Sequence, residues 1–488
     1  MRTPDDERGS PPVRPPARVQ PPRVRAWGER ASWVRGVREP TVPIGVPGGD
    51  AVTQRHARSV IDLALRVGEA MLATGASAAD VVATVLRLTA AYGIHSAHVD
   101  VTFTSVTVSI HRGLDEDPLS VLRVVRVRSR DFTRLENVQR LVDDVVAAHR
   151  RGEALDVEAD RRRLARILTR PHPYRRWVVT AGSALVAAGV VALFSTNPLM
   201  WLLAAASAAA VDQLQRVLGS IGLSAFFSQA VSAAVPTTLA VLIYWLRSQG
   251  VDLPYLGSPS LLVISGIIVL LAGLTVMGAA QDALDGYYVT AGARALEVLV
   301  LTLGIAVGIA LVLGVAVRLG VPLQVSPHLA TAGTPVANTV AAMVIGAGFG
   351  LSTYSRGRAT LAASVVAGLG WVSYELARLL ALDVAVTVAL AAMVVGALAH
   401  AGHRWLRVPE VALGTAGIVT MLPGLAVYRA LFQFVENPGV LAPAALAQAA
   451  TAGSIGLGLA AGLSIGGYLA RRRFGLDRAA QRALRRAR

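Results

Sequence analysis

The feature that most constrains this chain is a stretch of 293 residues, 178–470, that holds only 10 Arg and 9 acidic residues. The other 195 residues hold the remaining 59 charges. A water-facing surface of that length needs far more charge, so the stretch is read as serial membrane spans. A soluble enzyme is thereby excluded as an account of the whole chain. The net charge of +16 arises mostly outside the stretch, from 37 Arg against 22 acids, and the chain has no Lys. Basic residues beside spans mark a cytosolic face, so no nucleic-acid partner is expected. With no Cys, disulfides, thiol nucleophiles and Cys-ligated metals are ruled out.

Five segments follow along the chain. Residues 1–50 carry ten Pro and nine Arg and too little apolar surface to offset their ordering entropy, so they read as a disordered tail. Residues 51–170 read as a small α+β domain. Val60, Leu63, Ala64, Val67, Ala70 and Met71 form one helix face, Gly75 stops that helix, and Ser77 with Asp80 starts the next. Val99, Val101, Phe103 and Val106, Val108, Ile110 alternate as a hairpin joined around Thr104 and Ser105, with a third strand at 120–128. Thr133 and Glu136 read as a capping box. Residues 177–317 and 318–470 read as two halves of five spans each, and 471–488 as a basic tail. The ten spans fall near 178–195, 199–215, 221–246, 260–280, 296–317, 334–352, 359–380, 384–401, 409–428 and 445–470. The second carries Asp212 near its end. Connections on the side of the α+β domain hold six Arg and those on the other side hold four, which places both termini in the cytosol.

An internal repeat supports the division. Gly266–Asp282 and Gly417–Gln433, offset by 151 residues, are identical at seven of seventeen positions without a gap. Five spans is an odd number, so two related halves lie in opposite orientations, as in many secondary transporters with a midplane site. Pro423, followed by Gly424, breaks the ninth span. Such a break survives only where protein or a water-filled cavity satisfies the backbone.

Three passages carry a resemblance. Residues 69–93 with the following hairpin resemble the soluble part of the threonine/serine exporter family. Residues 282–297 resemble that family's loop after its fourth span, and Pro409-Glu410 through Leu422-Pro423-Gly424 with Tyr428-Arg429 resemble its second-half signature. The resemblance covers about 55–470 and implies a polytopic all-α membrane protein: about ten transmembrane helices in two inverted five-helix repeats, with a small N-terminal α+β cytosolic domain. It implies a multi-pass protein of the bacterial plasma (inner) membrane that exports threonine and serine against inward proton flow, without cofactor or metal. Membrane lipid is a partner, and a homo-oligomer is left open. Export of small dicarboxylates such as succinate on the same scaffold, or a membrane-anchored enzyme acting through the soluble domain, are the alternatives.

An exporter of a zwitterion needs an acceptor for the ammonium, a donor for the carboxylate and a group that exchanges a proton, and ionisable residues in a membrane are the first candidates. Asp282, Asp285, Tyr288, Arg294 and Glu297 cluster between the fourth and fifth spans. Arg294 is the candidate for the substrate carboxylate, Asp285 for its ammonium and Glu297 for the proton; a capped turn obeying the positive-inside rule explains the same residues. Glu375 lies three residues before Arg378 and is either a structural pair or a proton site. Asp212 is either a coupling carboxylate or interfacial. Asn338 is either a ligand of the substrate hydroxyl or glue between helices. Pro423 and Gly424 complete the candidate substrate site. His98, His111, Asp100 and Ser77 or Ser105 lack a nucleophile elbow, and His400 and His403 lack a third metal ligand.

Overall fold

Charge-rich and charge-poor stretches fold into two distinct layers in the computed structural model, which describes residues 54–111, 118–125, 129–250, 258–270, 273–321, 331–436 and 443–474. The expected tail at 1–50, the last part of the expected third strand and residues 475–488 lie outside the described residues. In the first layer, α1 (Gln54–Ala73) buries Val60, Leu63, Ala64, Val67 and Met71, as the three-and-four spacing requires. Gly75, at φ +90°, turns the chain where a side chain would be strained. Ser77 caps α2 (Ala78–Ala91), its hydroxyl accepting the Asp80 N–H at 3.1 Å.

Strands β1 (Ala97–Thr102), β2 (Ser105–Ile110) and β3 (Leu119–Val124) form an antiparallel sheet in that order. Thr102 pairs with Ser105, so the hairpin loop is Phe103–Thr104, one residue earlier than expected. Val106, Val108 and Ile110 are buried on one face of β2, the period-two pattern of a half-covered sheet. α3 (Phe132–Arg150) and α4 (Val157–Thr169) complete the layer. The expected capping box is not formed. Asp131 caps α3 by accepting the Arg134 N–H at 2.8 Å. Thr133 instead donates to the Tyr354 carbonyl at 2.5 Å, and Glu136 pairs with Arg140. A tertiary acceptor has claimed the hydroxyl.

The second layer is helical throughout its described residues: α5 (Arg176–Phe194), α6 (Pro198–Ser220), α7 (Ala225–Ser248), α8 (Ser260–Leu270), α9 (Gly273–Leu284), α10 (Tyr288–Arg318), α11 (Pro335–Ser352), α12 (Gly357–Arg378), α13 (Val384–Leu406), α14 (Glu410–Ile418), α15 (Gly424–Glu436) and α16 (Pro443–Phe474). A 3-10 turn, Val419–Met421, follows α14. Among the described residues seven helices are long and apolar enough to cross a membrane, or eight if α14 and α15, bent by 53°, form one span. The chain is therefore a multi-pass membrane protein.

Lipid offers no hydrophobic drive for helices to associate, so close backbone approach must supply it. On α10, Leu296, Leu299, Leu303, Val307 and Leu311 form an exposed stripe, while Gly304 and Gly308 lie against the Phe226 and Ala230 carbonyls of α7. α16 meets α13 in the same way, with Gly458, Gly462 and Gly466 against the carbonyls of Ala385, Ala389 and Met393. α8 packs among α5, α6 and α7, and α14 among α11, α12 and α13.

Candidate functional site

Where α5, α6, α8, α11 and the break after α14 converge, a cavity of about 230 Å³ remains. Ser183 on α5, Asp212 and Gln215 on α6, Ser352 and Thr353 at the end of α11, and Arg130 from the first layer supply its polar lining. The apolar side includes Ile268 and Val269 of α8 and Val419 and Leu422 at the break. Pockets for drug-sized ligands span about 300–1,000 Å³, so this space suits a smaller metabolite. Asp212 accepts the Thr180 hydroxyl at 2.6 Å and is ion-paired with Arg216 one turn further on.

One interrupted helix borders the cavity: the 3-10 turn after α14 ends at Met421 and α15 begins at Gly424, the pair bent by 53°. The other side is lined by α8, the matching segment of the sequence repeat. The Leu270 carbonyl of α8 accepts from Gln229 Nε2 at 3.3 Å, and Gln229 Oε1 accepts from Gln215 Nε2 at 3.4 Å. A side-chain relay thus joins the cavity lining to α8. At the break, Gly424 starts α15 directly against Ile268, and a Cβ there would lie 2.5 Å from the Ile268 Cγ1. Trp371 Nε1 and Thr420 Oγ1 near this break are buried without a hydrogen-bond partner among the described residues.

The residues singled out in the sequence divide between this cavity and other places. Asp212 lines it, and Pro423 and Gly424 follow its lining residue Leu422. Asp282 and Arg294 are both buried and ion-paired at 3.3 Å. Asp282 accepts the Ala78 N–H at 2.8 Å, Arg294 donates to the Ala76 carbonyl at 2.9 Å, and Thr290 donates to the Val101 carbonyl at 3.1 Å. A carboxylate at the start of α2 also complements that helix's dipole. These residues clamp the first layer onto α9 and α10.

Asp285 sits at the turn after α9. The protein packed around it, and then the carboxylates of Asp80 and Asp282, push its carboxyl up to about 6. Burial, followed by the charge of Glu410, likewise raises the carboxyl of Asp80. Tyr288 is exposed. Glu297 is half-buried and its charge acts on Arg130. Asn338 is buried at the opposite end of α11 from Ser352, and its Oδ1 lacks a hydrogen-bond partner among the described residues. Glu375 pairs with Arg378 at 3.3 Å. His400 lies 3.4 Å from Glu410, and His403 is 3.0 Å from the Val408 carbonyl.

Arg130, Ser183, Gln215 and Ser352 were not singled out in the sequence. A signal existed for two of them: Thr180 with Ser183 and Asp212 with Gln215 are polar pairs three residues apart, each on one face of its helix.

A family model described as "Putative threonine/serine exporter" matches residues 62–316, and another described as "Threonine/Serine exporter, ThrE" matches residues 338–468. The chain is 36% identical over 457 residues to a "Probable threonine/serine exporter" of Mycobacterium tuberculosis, covering 90% of this chain and 82% of that one. The chain belongs to the threonine/serine exporter family. A second member, the "Threonine/serine exporter" of Corynebacterium glutamicum, is 31% identical over 431 residues, covering 87% of this chain and 85% of its own length. Membership in this exporter family makes the chain a transporter rather than an enzyme. The boundary between the two family matches, residues 316–338, falls between α10 and α11. No solved structure matches the chain significantly.

Proposed function

We propose that this chain exports threonine and serine across the bacterial inner membrane and binds them in the cavity beside Asp212. The observation that carries the reading is the lining itself: one carboxylate, one guanidinium, several hydroxyls and an amide in about 230 Å³ beside the broken helix α14–α15. Asp212 accepts the substrate ammonium, displacing Arg216. Arg130 and the N–H groups at the start of α15 take the carboxylate, because a half-helix N-terminus favours an anion. Ser183 and Ser352 face the substrate hydroxyl. A dicarboxylate fits this lining poorly, because Asp212 repels its second charge.

Proton coupling follows if proton and ammonium compete for the same carboxylate: occupancy by one excludes the other, and each crossing direction carries a different passenger. Glu297, near Arg130, is the second candidate for the proton. The span count reaches ten when α6 and the α8–α9 pair join the eight. α6 falls short in hydropathy because Asp212, Gln213, Gln215 and Arg216 lie in its second half. The sequence repeat and the paired glycine contacts support two inverted five-helix halves. The arginine distribution supports cytosolic termini, which makes the first layer a cytosolic gate whose Arg130 reaches the cavity.

Efflux of labelled threonine, serine and succinate from proteoliposomes, with and without a proton gradient, tests the proposal. Gradient-driven threonine and serine flux that is lost in Asp212→Asn supports both substrate and site. Succinate flux without threonine flux sinks the substrate; full threonine flux in Asp212→Asn sinks the site.

A further inference from the structure

A second, larger cavity of about 1040 Å³ opens between α3, α4, the start of α12 and the end of α13. Seven arginines line it against one carboxylate, Asp144. Arg163 is held by Asp144 at 2.5 Å, and Arg140 by Glu136. The other five, Arg166, Arg170, Arg356, Arg358 and Arg407, make no ion-pair contact among the described residues, although the charge of Glu136 acts on Arg356 and Arg358. Concentrating unpaired like charge in one concave space raises its potential and attracts an anion. Guanidinium groups match phosphate oxygens in a bidentate fork.

The position of the cavity selects among anions. α12 begins at Gly357, α13 ends at Leu406 and α5 begins at Arg176, so three apolar helices end at this level. Trp405 and Leu406 also line the cavity, and Trp405 is 75% exposed. Trp at the end of a span marks the headgroup region, and basic pockets at the cytosolic ends of spans hold anionic headgroups. We propose that this cavity is a binding site for the phosphate headgroup of an anionic phospholipid, which bridges the first layer (through α4) to the ends of α12 and α13. Arg358 and Arg407 are exposed on the helix side and Arg166 and Arg170 on the α4 side, so all four are replaceable without disturbing the core.

The test uses the full-length protein in detergent micelles doped with cardiolipin, with phosphatidylcholine, or with inorganic pyrophosphate in solution. Thermal melting and native mass spectrometry are the readouts. Cardiolipin should raise the melting temperature and remain bound, whereas phosphatidylcholine should do neither. The double variant Arg358→Gln with Arg407→Gln should lose most of that rise and the retained lipid. The lysine versions of the same pair should keep most of both. Arg166→Gln with Arg170→Gln, from the opposite wall, should act in the same direction and guards against a local folding defect. An equal rise and equal retention in both glutamine variants would overturn the site. A rise with pyrophosphate but none with cardiolipin would overturn the lipid and leave a soluble phosphate anion.

Discussion

α6 and α12 each carry a carboxylate and an arginine about one turn apart near their C-terminal ends. Asp212 pairs with Arg216, and Glu375 with Arg378 at 3.3 Å. The side chains of the first pair are 19% and 29% exposed and those of the second 31% and 51%. Asp212 also holds the Thr180 hydroxyl and faces a cavity; Glu375 bonds only its arginine among the described residues. Identical pair chemistry therefore has different consequences. A pair at the rim is screened and contributes little, whereas a pair in a closed space can exchange partners with a charged guest. Asp282 with Arg294 marks the other extreme, fully enclosed and each bonded to a backbone group of the first layer.

The largest effect is expected at that extreme. Asp282→Ala leaves Arg294 buried without its counter-charge, which costs about 3–5 kcal/mol. A thermal melt of the purified protein should show the loss, together with faster proteolysis of the α1–α2 connection as the first layer detaches. An unchanged melt would mean that the layer is held by packing alone.

Next comes Asp212→Asn. It should lower threonine efflux by at least about tenfold, since about 1.4 kcal/mol of lost ammonium binding already suffices. Efflux near wild type would erase the distinction between the two helices. Glu375→Gln serves as the matched control. An exposed pair of this spacing is worth about 0.3–0.5 kcal/mol, so both melting and efflux should change little. A transport defect as large as that of Asp212→Asn would move the functional carboxylate to α12.

The smallest effect concerns pH. The carboxyl of Asp285 titrates at about 6 against an ordinary 3.8. A raised acid pKa means that the folded arrangement prefers the proton. Its contribution is full below about pH 4 and is lost as pH rises through about 6. Amide exchange at the start of α2 should therefore slow on acidification across that window, and Asp285→Asn should weaken the dependence.

Much of the fold was legible in the sequence because lipid imposes a one-dimensional rule: a span is a long apolar run. Seven of the ten expected runs fall on helices long and apolar enough to cross a membrane, an eighth falls on the bent pair α14–α15, and Pro423 marked the break in that pair. The site was only partly legible. Asp212 stood out because a carboxylate in an apolar run is costly. Arg130 did not, because it lies in a polar loop more than forty residues before α5 and nothing local marks it.

The sequence by itself determined the membrane layer, the α+β layer, the break at Pro423 and the family. Only the tertiary structure decided which charges stand open. Arg294 stood in the sequence as the candidate for a substrate carboxylate, with Asp282 in the same polar cluster. Folding brought the Ala76 carbonyl and the Ala78 N–H onto them from more than two hundred residues away. Spacing along a chain fixes which groups share a helix face; which partner satisfies a buried charge depends on what packs against that face.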